Sequence, residues 1–378
     1  DRDGLGDDKP AARCDADRGR DTVETVDGLL AAGGSLGARR CPLEPREDSL
    51  HVRCRSDGVR HALRELPREL QAGILSRLKI IGNLNSAERR LPQDGRINLT
   101  TGAGAIDVRV STIPTVNGES ISLRLLSRSD SLSFVLDLLD ISEKQIATVK
   151  TLPAQPNGII LVTGPTGSGK TTTLYAALSR LDAGSSNIMT VEDPIEYELA
   201  GVGQTQVNAK IDLTFAKSLR AILRQDPDII MIGEIRDFET AQIAIQASLT
   251  GHLVLATLHT NDAASAVTRL IDMGVEPFLL SSSLLGVLAQ RLVRKLCPSC
   301  HGPGCADCGH TGYQGRTGVF ELLVTDDKLR ALIHNRASEA EIRDTAIKTG
   351  MVLMRDDGER LVQSGVTSRE ELMRVTRD

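Results

Sequence analysis

The stretch "ILVTGPTGSGKTTTLYAAL", residues 160–178, constrains the fold more than any other part of the sequence. A short apolar run leads into a glycine-rich turn, and a helix-forming run follows. The turn, Gly164–Thr171, matches the pattern G-x-x-x-x-G-K-[ST] without a gap. Glycines in such a turn let backbone N–H groups face phosphate oxygens, and the N-terminus of the following helix favours negative charge at the same place. We therefore predict a phosphate-binding loop between a buried strand and a helix.

Within this loop, Lys170 is predicted to reach the β- and γ-phosphates of ATP, and the Thr171 hydroxyl to ligate Mg²⁺. A chance glycine turn is the alternative, but the strand before and the helix after the turn argue against it. The predicted nucleotide-binding residues are Gly164, Pro165, Thr166, Gly167, Ser168, Gly169, Lys170, Thr171 and Thr172.

From Asn157 onward, short buried strands alternate with helical segments, which is typical of a parallel sheet in an α/β fold. The predicted strands are 159–162, 188–191, 229–232 and 253–258. In an open parallel sheet the ligand crevice lies at the carboxyl ends of the strands. Polar residues that follow these strands are therefore candidates for the chemistry.

Glu234 follows the third of these strands and is predicted to polarise the attacking water or to support Mg²⁺. A typical strand of this kind carries an aspartate just before the glutamate, but here that place is Gly233, so Mg²⁺ must depend on Thr171, the phosphates and water. Glu192 and Asp193 follow another strand, with Glu192 as the second candidate for activating water. Surface charge is the alternative for all three acids.

His252 and His259 flank the strand 253–258. We expect both to sense or stabilise the phosphate end of the site. A single histidine is more often structural, but a pair that flanks one buried strand of a nucleotide-binding domain favours a functional role. A structural role is the alternative for each of them.

Two CxxC pairs lie close together in "CPSCHGPGCADCGH". Paired CxxC units are typical of a structural, tetrahedral Zn²⁺ site, although only four residues separate the pairs here. Free thiols or redox cysteines are the alternative, and His301 or His310 is a possible substitute for one thiolate. The predicted zinc ligands are Cys297, Cys300, Cys305 and Cys308.

The composition limits the classes of protein that remain. A formal net charge of −5 and the absence of Trp argue against a nucleic-acid binder. No apolar run approaches the length of a membrane span, and the charged beginning does not resemble a signal peptide. We expect a soluble intracellular protein, whose seven cysteines are metal ligands or free thiols rather than disulfides. Pro42 cannot donate to a sheet ladder, so its stretch is expected to be a divergent sheet edge or a shifted reading frame.

The length of 378 residues suggests two or three domains. A mixed pattern of helical spacing and strand alternation precedes the parallel-sheet pattern and indicates a small α+β domain. The predicted segments are a disordered acidic lead-in (1–24), the small α+β domain (25–130), a linker and helix (131–150), the α/β core (151–295), the tetracysteine element (296–316) and a helical C-terminal region (317–378).

Several long motifs together resemble the secretion ATPase superfamily: "GPTGSGKTTTLY", "VEDPIEY", "LRAILRQDPDIIMIGEIRD" and "LTGHLVLATLHTNDAASAVTRL". The resemblance covers about residues 45–378 and is greatest to the type II secretion and type IV pilus assembly ATPases. It implies a RecA-like P-loop core in a homo-hexamer that hydrolyses ATP on the cytoplasmic face of the inner membrane. Such a ring drives assembly of a pilus or pseudopilus with inner-membrane platform and docking proteins.

The resemblance also implies roles for arginines. Arg109 and Arg124 match arginines of the preceding domain that reach the nucleotide phosphates when the two domains close; strand-surface arginines are the alternative. Candidates for subunit or interdomain contacts near the nucleotide are Arg220 and Arg224, with Arg236 and Arg269 as weaker ones.

Two other functions remain open at this stage. A nucleotide-binding but weakly active scaffold subunit of the same machinery would bind ATP with negligible turnover. A DNA-translocating relative would show salt-sensitive DNA binding, which the negative net charge disfavours. The tetracysteine element favours the assembly or secretion branch, because retraction ATPases resemble this chain but lack that element.

Overall fold

The computed structural model describes residue 28 and residues 40–57, 59–101, 104–127 and 140–376. The chain divides between residues 132 and 133 into two compact units, which we call the amino unit and the carboxyl unit. The predicted lead-in, residues 1–24, lies outside the described residues, as do residues 131–139 of the predicted linker.

The described part of the amino unit is a six-stranded antiparallel sheet in the order β3-β2-β1-β6-β5-β4, with one helix. Alternate residues such as Val108 and Val110 are buried, and Ile74 and Leu78 of the helix join the same apolar cluster. This architecture is the small α+β domain expected from the sequence. Its elements are β1 Arg40–Pro45, β2 Ser49–Ser56, β3 Val59–Pro67, α1 Arg68–Ile81, β4 Gln93–Thr101, β5 Gly104–Thr115 and β6 Gly118–Ser127.

Two expectations about the amino unit are wrong: the sheet-edge alternative for Pro42 and the absence of disulfides. Pro42 is not at a sheet edge, because β1 lies between β2 and β6 and buries Cys41 and Leu43 in the core. Cys41 is directly opposite Cys54 on β2, with 4.2 Å between their Cα atoms, and the two form a disulfide. The sequence did not reveal this pair, because the two cysteines meet only through the register of two strands.

The described part of the carboxyl unit contains a seven-stranded sheet in the order β13-β12-β7-β11-β10-β8-β9. All neighbours are parallel except β12 and β13. The strands are β7 Gly158–Thr163, β8 Ile188–Glu192, β9 Gly203–Gln206, β10 Ile229–Ile232, β11 Leu253–Leu258, β12 Leu284–Leu296 and β13 Tyr313–Val324. The helices are α2 Glu143–Thr151, α3 Lys170–Leu178, α4 Phe215–Ile222, α5 Phe238–Leu249, α6 Ala263–Asp272, α7 Pro277–Ser283, α8 Asp327–His334, α9 Glu339–Lys348, α10 Met354–Gln363 and α11 Arg369–Val375.

Both faces of the parallel sheet are covered. Successive residues of β7 belong to two different apolar clusters: Ile159 and Leu161 to one, Ile160 and Val162 to the other. A strand buried on both faces needs apolar residues at every position, which explains the uninterrupted apolar runs of the sequence. The predicted α/β architecture is confirmed. No helix in the described ranges combines the length and apolar character needed to cross a membrane.

One segment predicted to be helical is a strand. β13 includes residues 317–324 of the predicted helical region, and the helices begin only at Asp327. Its apolar run is long enough for either structure, and pairing with β12 decides in favour of the strand. Leu296 is opposite Tyr313, so the tetracysteine element is the connection between two paired strands.

Candidate functional site

The predicted phosphate loop connects the end of β7 to the start of α3. Gly164, Gly167 and Gly169 have φ angles of +147°, +84° and +91°. Side chains rarely tolerate such angles, which explains the three glycines of the motif. These φ angles are compatible with a loop that turns its N–H groups toward a phosphate at the N-terminus of α3. The buried Ser168 Oγ has no hydrogen-bond partner in the described structure, which fits a loop that completes its contacts on binding a ligand.

The side chain of Lys170 lies folded over this loop. Its Nζ donates to the carbonyl oxygens of Gly164 at 2.8 Å and Pro165 at 3.1 Å. Burial lowers the pKa of Lys170 to about 8; nearby Glu234 opposes this shift and Arg291 adds to it. A buried ammonium of depressed pKa gains strongly from a phosphate partner.

Glu234 follows β10 and lies close to the lysine through His259. The Nδ1 of His259 is 3.4 Å from Lys170 Nζ, and its Nε2 is 2.9 Å from Glu234 Oε1. An ammonium can only donate, so Nδ1 accepts and Nε2 carries the proton that faces the carboxylate. Arg236 contacts the other carboxylate oxygen at 2.8 Å and approaches Asp193 at 3.5 Å. The structure thus brings these five predicted residues together.

Gly233 precedes this glutamate at the end of β10. A Cβ at Gly233 would lie 3.2 Å from the carbonyl oxygen of Val191 and 3.3 Å from Cα of Glu192. The two strands approach too closely here for a side chain without a shift. The aspartate that is typical at this place is therefore sterically disfavoured.

Glu192 has a different environment from Glu234. It is buried in the sheet, where its Oε2 accepts from Tyr175 and its Oε1 accepts from Thr190 at 2.6 Å and Gln204 at 3.0 Å. Burial, reinforced by the Glu192 carboxylate, raises the pKa of Tyr175. A carboxylate held by three donors is engaged within the protein, so the geometry favours Glu234 for activating water.

The structure does not bring His252 to this group. His252 precedes β11, at the amino end of the strand, whereas His259 follows its carboxyl end. The two residues are separated by the length of a six-residue strand, about 20 Å. The His252 Nδ1 instead lies 2.9 Å from the carbonyl oxygen of Ala247, at the end of α5.

The other predicted arginines of the carboxyl unit are exposed: Arg220 on α4, Arg224 in the turn that follows α4, and Arg269 on α6. Arg220 forms an ion pair with Glu239 at 2.6 Å, and Arg224 donates to the carbonyl oxygen of Arg220 at 2.8 Å. These positions agree with contact surfaces, and their predicted role in subunit contacts stays a prediction.

Arg109 and Arg124 are directly opposite each other on β5 and β6 of the amino unit. Each of the six strands has an arginine paired with an arginine of the neighbouring strand, so the arginines form a row across the sheet. Neighbours such as Val108 and Leu123 face the core, so the arginines share the opposite face. The row is Arg60, Arg55, Arg40, Arg124, Arg109 and Arg96, in sheet order.

The four predicted zinc ligands form a cluster between β12 and β13. Their sulfur atoms all lie within 4.8 Å of one another, and three pairs are 3.8 Å apart. Tetrahedral zinc with Zn–S bonds of about 2.3 Å places thiolates about 3.8 Å apart. Hydrogen bonds from backbone N–H groups, chiefly that of Cys305, lower the pKa of Cys308 to about 6. The shortened loop therefore fits a zinc ion.

Sequence reasoning missed Gln290 and Arg291. Both lie on β12 beside the phosphate loop, and Arg291 also donates to Asn261 Oδ1 at 3.2 Å. The available signal was two adjacent polar residues in the otherwise apolar run "GVLAQRLV". A buried polar side chain requires partners, and the partner of Gln290 is Thr173, in the helix that follows the phosphate loop.

The fold and the loop together define a P-loop ATPase fold. The chain belongs to the family described as Type II/IV secretion system protein, whose model matches residues 24–374. It is 56% identical to the type II secretion system protein HxcR of Pseudomonas aeruginosa, covering 100% of this chain and 82% of that relative. It is 50% identical to the type II secretion system ATPase E of Vibrio cholerae, covering 94% and 75%.

Solved structures agree with this assignment. The pilus retraction motor PilT with bound ADP is 28% identical, with a TM-score of 0.66 and coverage of 93% of this chain and 96% of that one. The ATPase DotB of Legionella pneumophila shares the fold at 21% identity, with a TM-score of 0.70 and coverage of 93% and 95%.

Proposed function

We propose that this protein hydrolyses ATP to power pseudopilus or pilus assembly in a type II secretion or type IV pilus system. The observation that carries the proposal is the contact chain Lys170–His259–Glu234 at the phosphate loop. The names of the relatives support the machinery, and the fit of four thiolates to zinc supports the assembly or secretion branch. The working form is a homo-hexamer, peripheral on the cytoplasmic face of the inner membrane and in contact with platform and docking proteins.

Different residues of the loop bind different parts of the nucleotide complex. Loop N–H groups and Lys170 hold the phosphates of ATP, and the exposed Thr171 hydroxyl would hold Mg²⁺. The metal would supply charge neutralisation on the phosphate oxygens. Once Lys170 turns to the phosphates, His259 keeps its contact with Glu234 and so orients the carboxylate.

Glu234 acts as the general base. It accepts a proton from water as the water oxygen bonds to the γ-phosphorus, and the bond from that phosphorus to the β–γ bridging oxygen breaks. ADP and inorganic phosphate result. Glu192 remains the second candidate for this role, although its carboxylate already accepts three hydrogen bonds.

We assign Arg109 and Arg124 to the charge that develops on the terminal phosphate, as the family resemblance implies. The two residues are directly opposite in the sheet, so an anion on this face would meet two guanidinium groups at once. Their contact with nucleotide is part of the proposal.

The test compares ATP turnover of the wild type with Lys170→Ala and Glu234→Gln. We expect both variants to lose about 10²–10³-fold in kcat, and Glu234→Gln to retain nucleotide affinity because it leaves the loop intact. If the wild type instead binds ATP and shows no hydrolysis that Lys170→Ala abolishes, the result indicates the weakly active scaffold subunit. Light scattering with and without nucleotide measures the molar mass of the assembly and so tests whether the hexamer forms.

A further inference from the structure

Gln290 lies on β12 beside the beginning of the phosphate loop. β12 pairs in parallel with β7, and Ala289 is opposite Thr163, the last residue of that strand. Gln290 is only 2% exposed. A carboxamide buried this deeply needs protein partners, because an unsatisfied polar group in the interior is costly.

The partners of the Gln290 side chain belong to the phosphate loop and its helix. Its Oε1 accepts a hydrogen bond from Thr173 Oγ1 at 2.7 Å. Thr173 is equally buried and lies in the first turn of α3, where its N–H donates to Gly169. The Nε2 of Gln290 is 2.7 Å from the point where a Cβ at Gly169 would stand. The carboxamide thus fits between the last loop residue and the following helix.

The backbone of Gln290 supports the other end of the loop. Its carbonyl oxygen lies 2.4 Å from the position of a Cβ at Gly164. A Cβ at Gly167, in the middle of the loop, would have no atom within 4 Å. Both ends of the loop therefore rest against one residue of β12, while its middle remains open for a ligand.

We propose that Gln290 is a positioning residue for phosphate binding. It acts through Thr173, Gly164 and Gly169, and holds the loop in its binding conformation before a nucleotide arrives. A loop that is already ordered loses less conformational entropy on binding, so this support contributes to nucleotide affinity as well as to packing. The inference rests on the proposed function as a nucleotide-binding ATPase.

Gln290→Met tests the proposal, because it removes the carboxamide at nearly constant volume. We expect the affinity for Mg·ADP, measured by calorimetry without turnover, to fall about tenfold through the loss of one buried hydrogen bond. KM for ATP should rise by a similar factor with little change in kcat, as for an interaction equal in ground and transition states. The matched control is Gln246→Met, which alters an exposed glutamine on α5 and should bind as the wild type does.

Variants of Thr173 provide an independent arm. Thr173→Val should weaken Mg·ADP binding as Gln290→Met does, Thr173→Ser should restore most of the affinity, and the double variant Gln290→Met/Thr173→Val should be no weaker than either single variant. If Gln290→Met folds poorly, the valine and serine variants decide the question.

Two results would overturn the inference in distinguishable ways. A lower melting temperature of nucleotide-free Gln290→Met with unchanged Mg·ADP affinity would make Gln290 a packing residue only. Absence of Mg·ADP binding by the wild type, or equal binding by Lys170→Ala, would overturn the proposed function and this inference with it.

Discussion

The two edges of the parallel sheet in the carboxyl unit are made of similar residues, yet they differ in chemistry. At the carboxyl edge, Lys170, His259 and Glu234 form a contact chain below the N-terminus of α3. At the amino edge, His252 binds a carbonyl at the end of α5, and an open hollow of about 530 Å³ is lined by polar groups that include Asn187 and Asp228. None of the residues that line this hollow belongs to the phosphate loop or to the contact chain at the other edge.

Strand direction explains the difference. Helices begin at the carboxyl edge and present N–H groups, whereas helices end at the amino edge and present carbonyl groups. A histidine near a helix C-terminus is a partner for those carbonyls, while a histidine beside a lysine and a carboxylate can orient both. The position relative to the strand therefore distinguishes the two histidines better than their residue type does.

The largest expected effect concerns the cysteine cluster. β12 extends beyond the carboxyl edge to Leu296, and the cluster follows directly. We expect one zinc ion per chain that survives dialysis. Cys297→Ser should weaken zinc binding by about 10²-fold or more, since one of four thiolates is lost. Elemental analysis with a chelator titration measures this, and Ser299→Ala, which alters an exposed residue between the first two ligands, is the control. A zinc-free wild type purified without chelator would contradict the expectation.

The next effect compares the histidines directly. His259→Ala should lower kcat about 10- to 100-fold, because Glu234 loses the side chain that orients it. His252→Ala should leave kcat within about twofold, because a helix-end contact is worth little to the site. Steady-state ATP turnover measures both, with exposed His334→Ala on α8 as the control. Equal losses for His252 and His259 would remove the distinction between the edges.

A third prediction concerns pH. Burial holds the pKa of Lys170 at about 8 in the free protein, with Glu234 opposing and Arg291 adding to the shift. Bound phosphates favour the ammonium, so the complex takes up a proton above this pH. Affinity for Mg·ADP should therefore fall as pH rises through 8, by up to about tenfold per pH unit.

Calorimetry in buffers of different ionisation enthalpy measures the affinity and the proton uptake together. The control is Lys170→Arg, whose guanidinium stays charged, so its remaining affinity should not change between about pH 7 and 9.5. If the affinity of the wild type for Mg·ADP does not change over this pH range, Lys170 of the free protein does not lose its proton near pH 8, and the prediction is wrong.

The smallest effect belongs to the amino edge. Asn187 Nδ2 donates to the carbonyl oxygens of Gln225 at 2.8 Å and Asp226 at 2.9 Å. Asn187→Ala should lower the free energy of unfolding by about 1–2 kcal/mol, with KM and kcat within about twofold of wild type. Denaturant unfolding and ATP turnover measure the two quantities. A large loss of ATP turnover without loss of stability would contradict this expectation and show that the amino edge takes part in turnover.

Local patterns in the sequence were sufficient for the sheet, the phosphate loop and the cysteine cluster. The position of Glu234 at a strand end also followed from the sequence, because the carboxyl ends of parallel strands meet at one edge. Contacts between distant segments did not follow: Cys41 with Cys54 depends on strand register, and Gln290 with Thr173 on a parallel pairing across more than a hundred residues. The direction of β11 separated His252 from His259, which motif reasoning alone had treated as one group.

The close approach of β8 and β10 at Gly233 limits which side chains can be added at the carboxyl edge of the sheet. Installing a second carboxylate at Gly233 would require the neighbouring backbone of β8 to move by a few tenths of an ångström, because a Cβ there would lie 3.2 Å from the carbonyl oxygen of Val191 and 3.3 Å from Cα of Glu192. A carboxylate near the exposed Thr171, at the start of α3, would support the proposed Mg²⁺ without moving that backbone.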